Sequence, residues 1–283
     1  MREELATLIY DSAEGVAVIT LNRPDRMNSI GGTMKEDLAT AFFRLAKDDE
    51  GLRCVILTGA GDRAFCAGAD IKERAELRRT GPEYFMAQKA THQLIRGMQE
   101  FERPLIAAIN GVALGGGMEL ALTADIRYAV AHAKMGLPEV RLGAIPGAGG
   151  TQTLPRLVGA SVAKELMFTA EHLTAEKALA IGLVSKVVET DVLGAALETA
   201  RRIAEMPPLA VSFAKRAVNA GMQGGIDSGL EYERYAAGML VDSEDRREGF
   251  RAFVEKRKPV FVDRKSTRLN SSHRMPSRMP SSA

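Results

Sequence analysis

The stretch that decides the fold reads Asn110-Gly-Val-Ala-Leu-Gly-Gly-Gly-Met-Glu119, and twenty residues beyond that glutamate the chain reads Gly-Leu-Pro-Glu139. Just before it, the apolar run Leu105 to Ile109 has the pattern of a short buried strand, which Asn110-Gly111 ends. Beyond the glycines, residues 118–122 are good helix formers without proline. We therefore predict a buried strand, a glycine-rich turn and then a helix.

This predicted turn has the properties of a site for developing negative charge. Three glycines, Gly115 to Gly117, allow the backbone to approach a ligand without an intervening Cβ. The first N–H groups of a helix have no partner inside the helix, and the helix dipole places partial positive charge there. Glu119 falls in the first turn of the predicted helix, so a carboxylate would lie beside these amides.

The order of the remaining segments predicts an α/β architecture with an all-helical C-terminal part. Strand-like apolar runs alternate with helical patterns up to residue 190, and only helical patterns follow before the tail. We place a boundary near residue 195, which gives an α/β core at residues 1–195 and a helical region at residues 196–264. The strand-like runs used here are Val16–Leu21, Cys54–Thr58, Ile126–Val130 and Val184–Val188, and the late helices are Val192–Met206, Leu209–Ala220, Ile226–Leu240 and Ser243–Lys256.

The last nineteen residues, 265–283, differ in composition from the rest of the chain. They are rich in serine with scattered proline, and they contain four basic residues and no acidic one. We predict that they are disordered and of non-native, vector-like origin, and we exclude them from the fold. Without them the net charge of +2 becomes −2, so the folded part is not basic and nucleic acid is not an expected partner.

The overall composition is that of a globular protein without a membrane segment. Hydrophobic residues make up 46% and charged residues 26% of the chain, and no apolar run approaches the roughly 20 residues of a membrane helix. Cys54 and Cys66 do not suggest a disulfide framework, and the N-terminus does not resemble a targeting segment, so a cytoplasmic location is expected. Three of the four histidines, at positions 92, 132 and 172, are scattered and lack metal-ligand spacing, so no metal is expected.

Four segments, taken in order, resemble the crotonase (enoyl-CoA hydratase/isomerase) superfamily: Ala67–Lys72, Gly115–Glu119, Gly136–Glu139 and Ile145–Gln152. The resemblance extends from about residue 8 to residue 262. It implies a spiral of repeated strand-strand-helix units, followed by a C-terminal helical region that assembles the protein as a homotrimer or a homohexamer.

The resemblance also implies an active site for an acyl-CoA thioester, without a metal or a redox cofactor. The main-chain amides of Ala69 and Gly116 correspond to an oxyanion hole for the thioester oxygen. Glu119 corresponds to the base that activates water, and Glu139 to the group that protonates the α-carbon. The expected enzyme is an enoyl-CoA hydratase, a carbon-oxygen lyase of fatty acid or lipid metabolism that converts an enoyl-CoA into a 3-hydroxyacyl-CoA.

The family binds coenzyme A near the oxyanion hole, and this implies a set of contact residues. A lysine near the C-terminus reaches the CoA phosphates in relatives, either within the same subunit or from a neighbouring one. The implied contacts in this chain are Ala67, Gly68, Asp70, Ile71, Lys72, Gly115 and Lys256.

Three alternatives to a general enoyl-CoA hydratase remain open at the level of sequence. A methylglutaconyl-CoA hydratase is favoured by the similarity of Lys72-Glu-Arg-Ala75 and Ala133-Lys-Met-Gly136 to that branch. An enoyl-CoA isomerase is disfavoured because both glutamates are present. An RNA-binding or scaffold protein on the same fold is the non-enzymatic alternative.

Overall fold

The computed structural model describes residues 1–262. The predicted disorder of residues 265–283 and their vector-like origin therefore lie outside the described residues. The chain divides into two compact units, one of residues 1–205 and one that begins at residue 206.

Within the described residues, the first unit contains two β-sheets. A seven-stranded sheet has the order β1-β2-β3-β4-β6-β8-β11, and a four-stranded sheet has the order β10-β9-β7-β5. The strands are β1 (Arg2–Glu4), β2 (Leu8–Ala13), β3 (Val16–Leu21), β4 (Cys54–Gly59), β5 (Ala64–Cys66), β6 (Leu105–Ile109), β7 (Val112–Leu114), β8 (Ile126–Val130), β9 (Lys134–Gly136), β10 (Leu173–Thr174) and β11 (Lys186–Val188).

The larger sheet forms most of the core of this unit. Strands β3, β4, β6, β8 and β11 are parallel, and β1 and β2 extend the sheet with antiparallel pairing. Every residue of β4 and β6 is buried. Continuous apolar runs of this kind are typical of parallel strands covered on both faces, which explains why the sequence pattern located them.

The smaller sheet places three loops at one edge. Strands β5, β7 and β9 are parallel neighbours, and Cys66, Ala113 and Met135 are aligned across them. Because the carboxyl ends of parallel strands meet at the same edge of a sheet, the segments that follow these strands lie side by side. Those segments are residues 67–70, 115–119 and 137–139, which are the ones singled out from the sequence.

Twelve α-helices occur among residues 1–262. They are α1 (Met34–Thr40), α2 (Ala46–Asp48), α3 (Ile71–Glu76), α4 (Gly81–Gln99), α5 (Gly116–Ala121), α6 (Gly150–Val158), α7 (Ala160–Thr169), α8 (Ala175–Ala180), α9 (Val192–Ala204), α10 (Pro208–Gly224), α11 (Ile226–Val241) and α12 (Glu244–Glu255). A π-helical segment, Ala41–Leu45, joins α1 to α2, and Pro24–Arg26 and Glu139–Leu142 are 3₁₀ turns. The glycine-rich sequence Pro146-Gly-Ala-Gly-Gly-Thr151 has the composition of a loop, but its last two residues, Gly150 and Thr151, already belong to α6.

Helix α9 lies across the boundary that the sequence suggested near residue 195. Its buried residues Val192, Ala196 and Ala200 are four apart, so they form one apolar stripe, and the helix contacts β4, β6 and β8. This stripe keeps the whole helix in the first unit, and the division between the compact units falls between residues 205 and 206 instead.

The described part of the second unit is helical, as predicted for the C-terminal part. Helices α10 and α11 pack against each other, and Gly225, with a φ of 109°, separates them. Ser243 caps α12 by accepting a hydrogen bond from the N–H of Arg246. No helix among residues 1–262 is long and apolar enough to span a bilayer. The predicted α/β class with a helical C-terminal region is confirmed.

Candidate active site

The segment after β5 is held against helix α5 by close contact between main chains. A Cβ on Gly117 would lie 1.9 Å from the carbonyl oxygen of Cys66, and one on Gly68 would lie 2.7 Å from the carbonyl oxygen of Leu114. No real Cβ tolerates such distances, so these two positions require glycine for steric reasons. The sequence suggested three glycines between strand and helix, whereas Gly116 and Gly117 already belong to α5 and only Gly115 precedes it.

The amides of Ala69 and Gly116 lie next to each other at this contact. The N–H of Ile30 donates to the carbonyl of Gly68, and the N–H of Asp70 donates to the carbonyl of Ile30, at 2.7 and 3.0 Å. In this parallel bridge the N–H of Ala69 faces away from Ile30. The main-chain nitrogen of Ala69 lies 3.8 Å from the position of a Cβ on Gly116, at the N-terminus of α5. Two main-chain donors are therefore available in one small region.

Glu119 is buried beside these amides, with 3% of its surface exposed. Its Oε1 accepts hydrogen bonds from the N–H groups of Ala148 and Gly150, at 2.7 and 2.8 Å. Burial raises the pKa of Glu119, while the two N–H donors act against that rise because they stabilise the carboxylate. The glycine-rich segment noted in the sequence thus holds this carboxyl group, a role that its composition alone did not reveal.

Glu139 opens the 3₁₀ turn that follows β9. Its Oε2 is buried and has no hydrogen-bond partner among residues 1–262. Burial raises the pKa of Glu139 to about 7, and the negative charge of Glu119 adds to the rise. Its Oε1 lies 3.1 Å from the position that a Cβ on Gly115 would occupy, so the carboxyl group rests against the turn that starts α5. The structure therefore brings together Ala69, Gly116, Glu119 and Glu139.

The predicted CoA contacts divide into internal and exposed residues. The carboxylate of Asp70 is engaged within the protein, because it caps α3 and forms an ion pair with Arg23 at 3.3 Å. Ile71 is 54% exposed and Lys72 is exposed next to it, so both side chains are accessible at the start of α3.

The other predicted contacts are main-chain groups or lie in the second unit. The N–H of Ala67 donates a hydrogen bond to the carbonyl oxygen of Met27 at 3.0 Å. Gly68 and Gly115 lie in the two turns described above, where they can offer only main-chain groups to a ligand. Lys256 is exposed in the second unit, where it follows α12 with a φ of 54°.

Two further features near the glutamates were not identified from the sequence as parts of the site. The positive charge of Arg74, on α3, acts on both Glu119 and Glu139 and opposes the rise of their pKa values. The side chains of Gln88 and His92, on α4, contact the loop that holds Glu119. No sequence signal connects α4 with that loop, since the partners are 59 and 55 residues apart.

Cys66, the last residue of β5, is a packing residue. Its side chain is fully buried, and burial raises the pKa of its thiol to about 12. The thiol therefore stays protonated near neutral pH and is not an activated nucleophile.

The chain resembles known proteins over nearly all of its described length. A family model described as enoyl-CoA hydratase/isomerase matches residues 11–264. A short-chain-enoyl-CoA hydratase of Clostridium acetobutylicum is 43% identical over 256 residues, which are 90% of this chain and 97% of that protein. The mitochondrial methylglutaconyl-CoA hydratase of Mus musculus is 41% identical over 258 residues, 89% of this chain and 81% of that protein. A solved enoyl-CoA hydratase from Bacillus anthracis superposes with a TM-score of 0.87 at 41% identity, covering 91% of this chain and all of that one.

Proposed function

Because the chain belongs to the enoyl-CoA hydratase/isomerase family, we propose that it adds water across the 2,3 double bond of an enoyl-CoA to give a 3-hydroxyacyl-CoA. The observation that carries this proposal is the placement of two carboxyl groups and two adjacent main-chain amides at the same edge of the small sheet. An isomerase would need only one carboxyl group at a time to transfer a proton. The presence of both Glu119 and Glu139 therefore favours hydration over isomerisation.

In the proposed reaction, the amides of Ala69 and Gly116 bind the thioester oxygen. When hydroxide adds to the β-carbon, electrons move through the double bond and negative charge develops on that oxygen. Donors that are already fixed by the fold stabilise this charge more than the neutral thioester, and one such donor is typically worth about 3 kcal/mol in the transition state.

The two glutamates divide the proton transfers. Glu119 removes a proton from the attacking water, and the N–H groups of Ala148 and Gly150 support the ionised form that this role requires. Glu139, with a pKa raised to about 7, retains its proton over part of the neutral range and delivers it to the α-carbon. The hydroxyl group ends on the β-carbon and the proton on the α-carbon, so the reaction is balanced without a redox cofactor or a metal.

Coenzyme A is proposed to bind along the start of α3. The exposed side chains of Ile71 and Lys72 come two and three residues after Ala69, so they are placed to contact the part of the substrate beyond the thioester. Asp70 is assigned a different role, since its carboxylate is needed to anchor α3 to Arg23. A contact between Lys256 and the CoA phosphates, and assembly as a homotrimer or homohexamer, remain proposals that rest on the family resemblance.

A second candidate function is the hydration of an enoyl-CoA that carries a distal carboxylate, as methylglutaconyl-CoA does. The observation that favours it is the cationic side chain of Arg74, which is near enough to lower the pKa of both Glu119 and Glu139. A guanidinium group can pair with a substrate carboxylate through two parallel hydrogen bonds. This candidate predicts that Arg74→Gln lowers kcat/KM for methylglutaconyl-CoA roughly 10-fold more than for crotonyl-CoA, because the loss of the Arg74 charge raises the pKa of both glutamates with either substrate. The matched control is Arg78→Gln, which makes the same change at an exposed arginine two residues beyond the end of α3.

The main proposal is tested by the loss of enoyl absorbance when the purified protein is incubated with crotonyl-CoA. For Glu139→Gln we expect turnover to fall by about 10² to 10⁴-fold while acyl-CoA binding is preserved. Glu50→Gln, the same change at an exposed carboxyl group, should have wild-type turnover. Unchanged turnover of Glu139→Gln would refute the role of Glu139. If the wild-type protein binds RNA but hydrates neither crotonyl-CoA nor methylglutaconyl-CoA, the result would favour the alternative of an RNA-binding protein on the same fold.

A further inference from the structure

One peptide unit, between Gly147 and Ala148, connects the candidate base to helix α4. Its carbonyl oxygen accepts a hydrogen bond from Nε2 of Gln88 at 2.7 Å and lies 2.8 Å from Nε2 of His92. Its N–H donates to Oε1 of Glu119 at 2.7 Å. The C=O and N–H of a trans peptide point in opposite directions, so this unit lies between α4 on one side and Glu119 on the other.

The contact is built from one face of α4. Tyr84, Gln88 and His92 are spaced four residues apart and therefore lie on the same side of the helix. A Cβ on Gly147 would be 2.5 Å from Nε2 of Gln88 and 3.5 Å from the hydroxyl oxygen of Tyr84. A side chain at position 147 would therefore displace the amide group of Gln88 from its present place.

The helix that carries these side chains is itself fixed. Its start has a capping box, in which Thr80 and Glu83 satisfy each other's backbone N–H groups. On its buried side, Leu94, Ile95 and Met98 pack in the core. Gln88 and His92 therefore extend from a helix that is anchored at its start and along its second half.

We propose that Gln88 and His92 are positioning residues for Glu119. Their hydrogen bonds to the Gly147 carbonyl fix the peptide so that the Ala148 N–H stays directed at Glu119. Hydrogen bonding to the carbonyl also polarises the peptide and strengthens its N–H as a donor. This inference rests on the proposed function, since it gives Glu119 the ionised form needed for activating water.

Without these two side chains the peptide is held less firmly, so we expect the bond from the Ala148 N–H to Oε1 of Glu119 to weaken while the bond from the Gly150 N–H remains. Burial then dominates and makes Glu119 harder to ionise. The charged groups that act on Glu119 are Glu139 and Arg74, and neither changes when Gln88 is replaced by another neutral residue. A neutral replacement of Gln88 therefore isolates the effect of the hydrogen bond.

The test compares Gln88→Met, His92→Leu, the double variant and His92→Gln, which keeps a donor near the position of the ring nitrogen. We expect Gln88→Met to lower kcat/KM for crotonyl-CoA at neutral pH roughly 5- to 10-fold, with little change in KM. The acidic limb of the pH profile of kcat/KM should move upward by roughly half a unit to one unit. His92→Gln should lose less activity than His92→Leu. Gln93→Met, an exposed change on the same helix, should match the wild type.

A measurement independent of turnover separates this inference from the proposed function. Carbon-13 NMR of protein with labelled glutamate, assigned with Glu119→Gln, follows the titration of Glu119 directly. If the wild type does not hydrate any enoyl-CoA but the pKa of Glu119 rises in Gln88→Met, the hydratase proposal fails while the positioning role stands. If both the acidic limb and the Glu119 titration are unmoved in variants whose circular dichroism matches the wild type, the inference is overturned. His92→Leu provides the same comparison if Gln88→Met does not fold.

Discussion

The raised pKa of Glu139 predicts that this candidate catalytic group destabilises the fold at neutral and alkaline pH. A carboxyl group with a raised pKa binds its proton more tightly in the folded chain than in the unfolded chain. The folded state therefore loses stability as pH rises from the ordinary value of 4.5 through about 7. Glu139→Gln cannot ionise, so this loss should disappear in the variant.

The size of the effect follows from the two pKa values. At 1.36 kcal/mol for each pKa unit, the rise from 4.5 to about 7 sets an upper bound of about 3.4 kcal/mol. Glu139 is only partly buried, and water screens its charge, so we expect about half of that, roughly 1.5 kcal/mol. The buried amide of glutamine also lacks a partner, but that cost does not depend on pH and cancels when two pH values are compared.

The assay is urea unfolding of the wild type and Glu139→Gln at pH 5 and pH 8, followed by circular dichroism. The free energy of unfolding of the variant relative to the wild type should rise by roughly 1.5 kcal/mol between the two pH values. Glu50→Gln, which removes an exposed carboxyl group, should show no such rise. A relative stability of Glu139→Gln that is the same at both pH values, or lower at pH 8, would refute the burial of an ionisable group at this position.

Three further expectations follow from the same geometry. Gly150→Ala places a methyl group 3.0 Å from Oε1 of Glu119, so we expect the hydrogen bond to that oxygen to weaken and kcat for crotonyl-CoA to fall roughly 10-fold, with wild-type kcat as the contrary result. Arg23→Met removes the cation that forms an ion pair with Asp70 and should lower the urea midpoint of unfolding; an unchanged midpoint would contradict this. The pH profile of kcat for the wild type should decline on the alkaline side near pH 7 as Glu139 ionises, whereas a profile flat to pH 9 would exclude Glu139 as the proton donor.

Much of the architecture followed from local sequence patterns. The buried strands Cys54–Gly59 and Leu105–Ile109 were found because every residue in them faces the core, so they read as uninterrupted apolar runs. The C-terminal helices were predicted within a few residues of their observed bounds. The resemblance to the crotonase family is confirmed by the family model and by relatives that cover nearly the whole described chain.

The short strands of the second sheet were harder to predict. Strands β5 and β7 have only three residues each, which is too short for a periodic pattern, and their pairing depends on residues far apart in the chain. The family resemblance indicated the segments that follow them, but not why those segments meet.

The sequence by itself indicated the buried strand at residues 105–109, the helix that follows the glycines, and the family, and it nominated the two candidate glutamates, because each of these depends on neighbouring residues or on their order. It did not predict β7, which lies between that strand and that helix. Only the tertiary structure decided that Glu119 is held by the loop at residues 148–150, that Asp70 is engaged by Arg23, and that Gln88 supports the same loop from α4. Hydrogen bonds and pKa values depend on which distant groups are buried together, and it is the packing of strands, helices and loops, rather than sequence proximity, that brings those groups into contact.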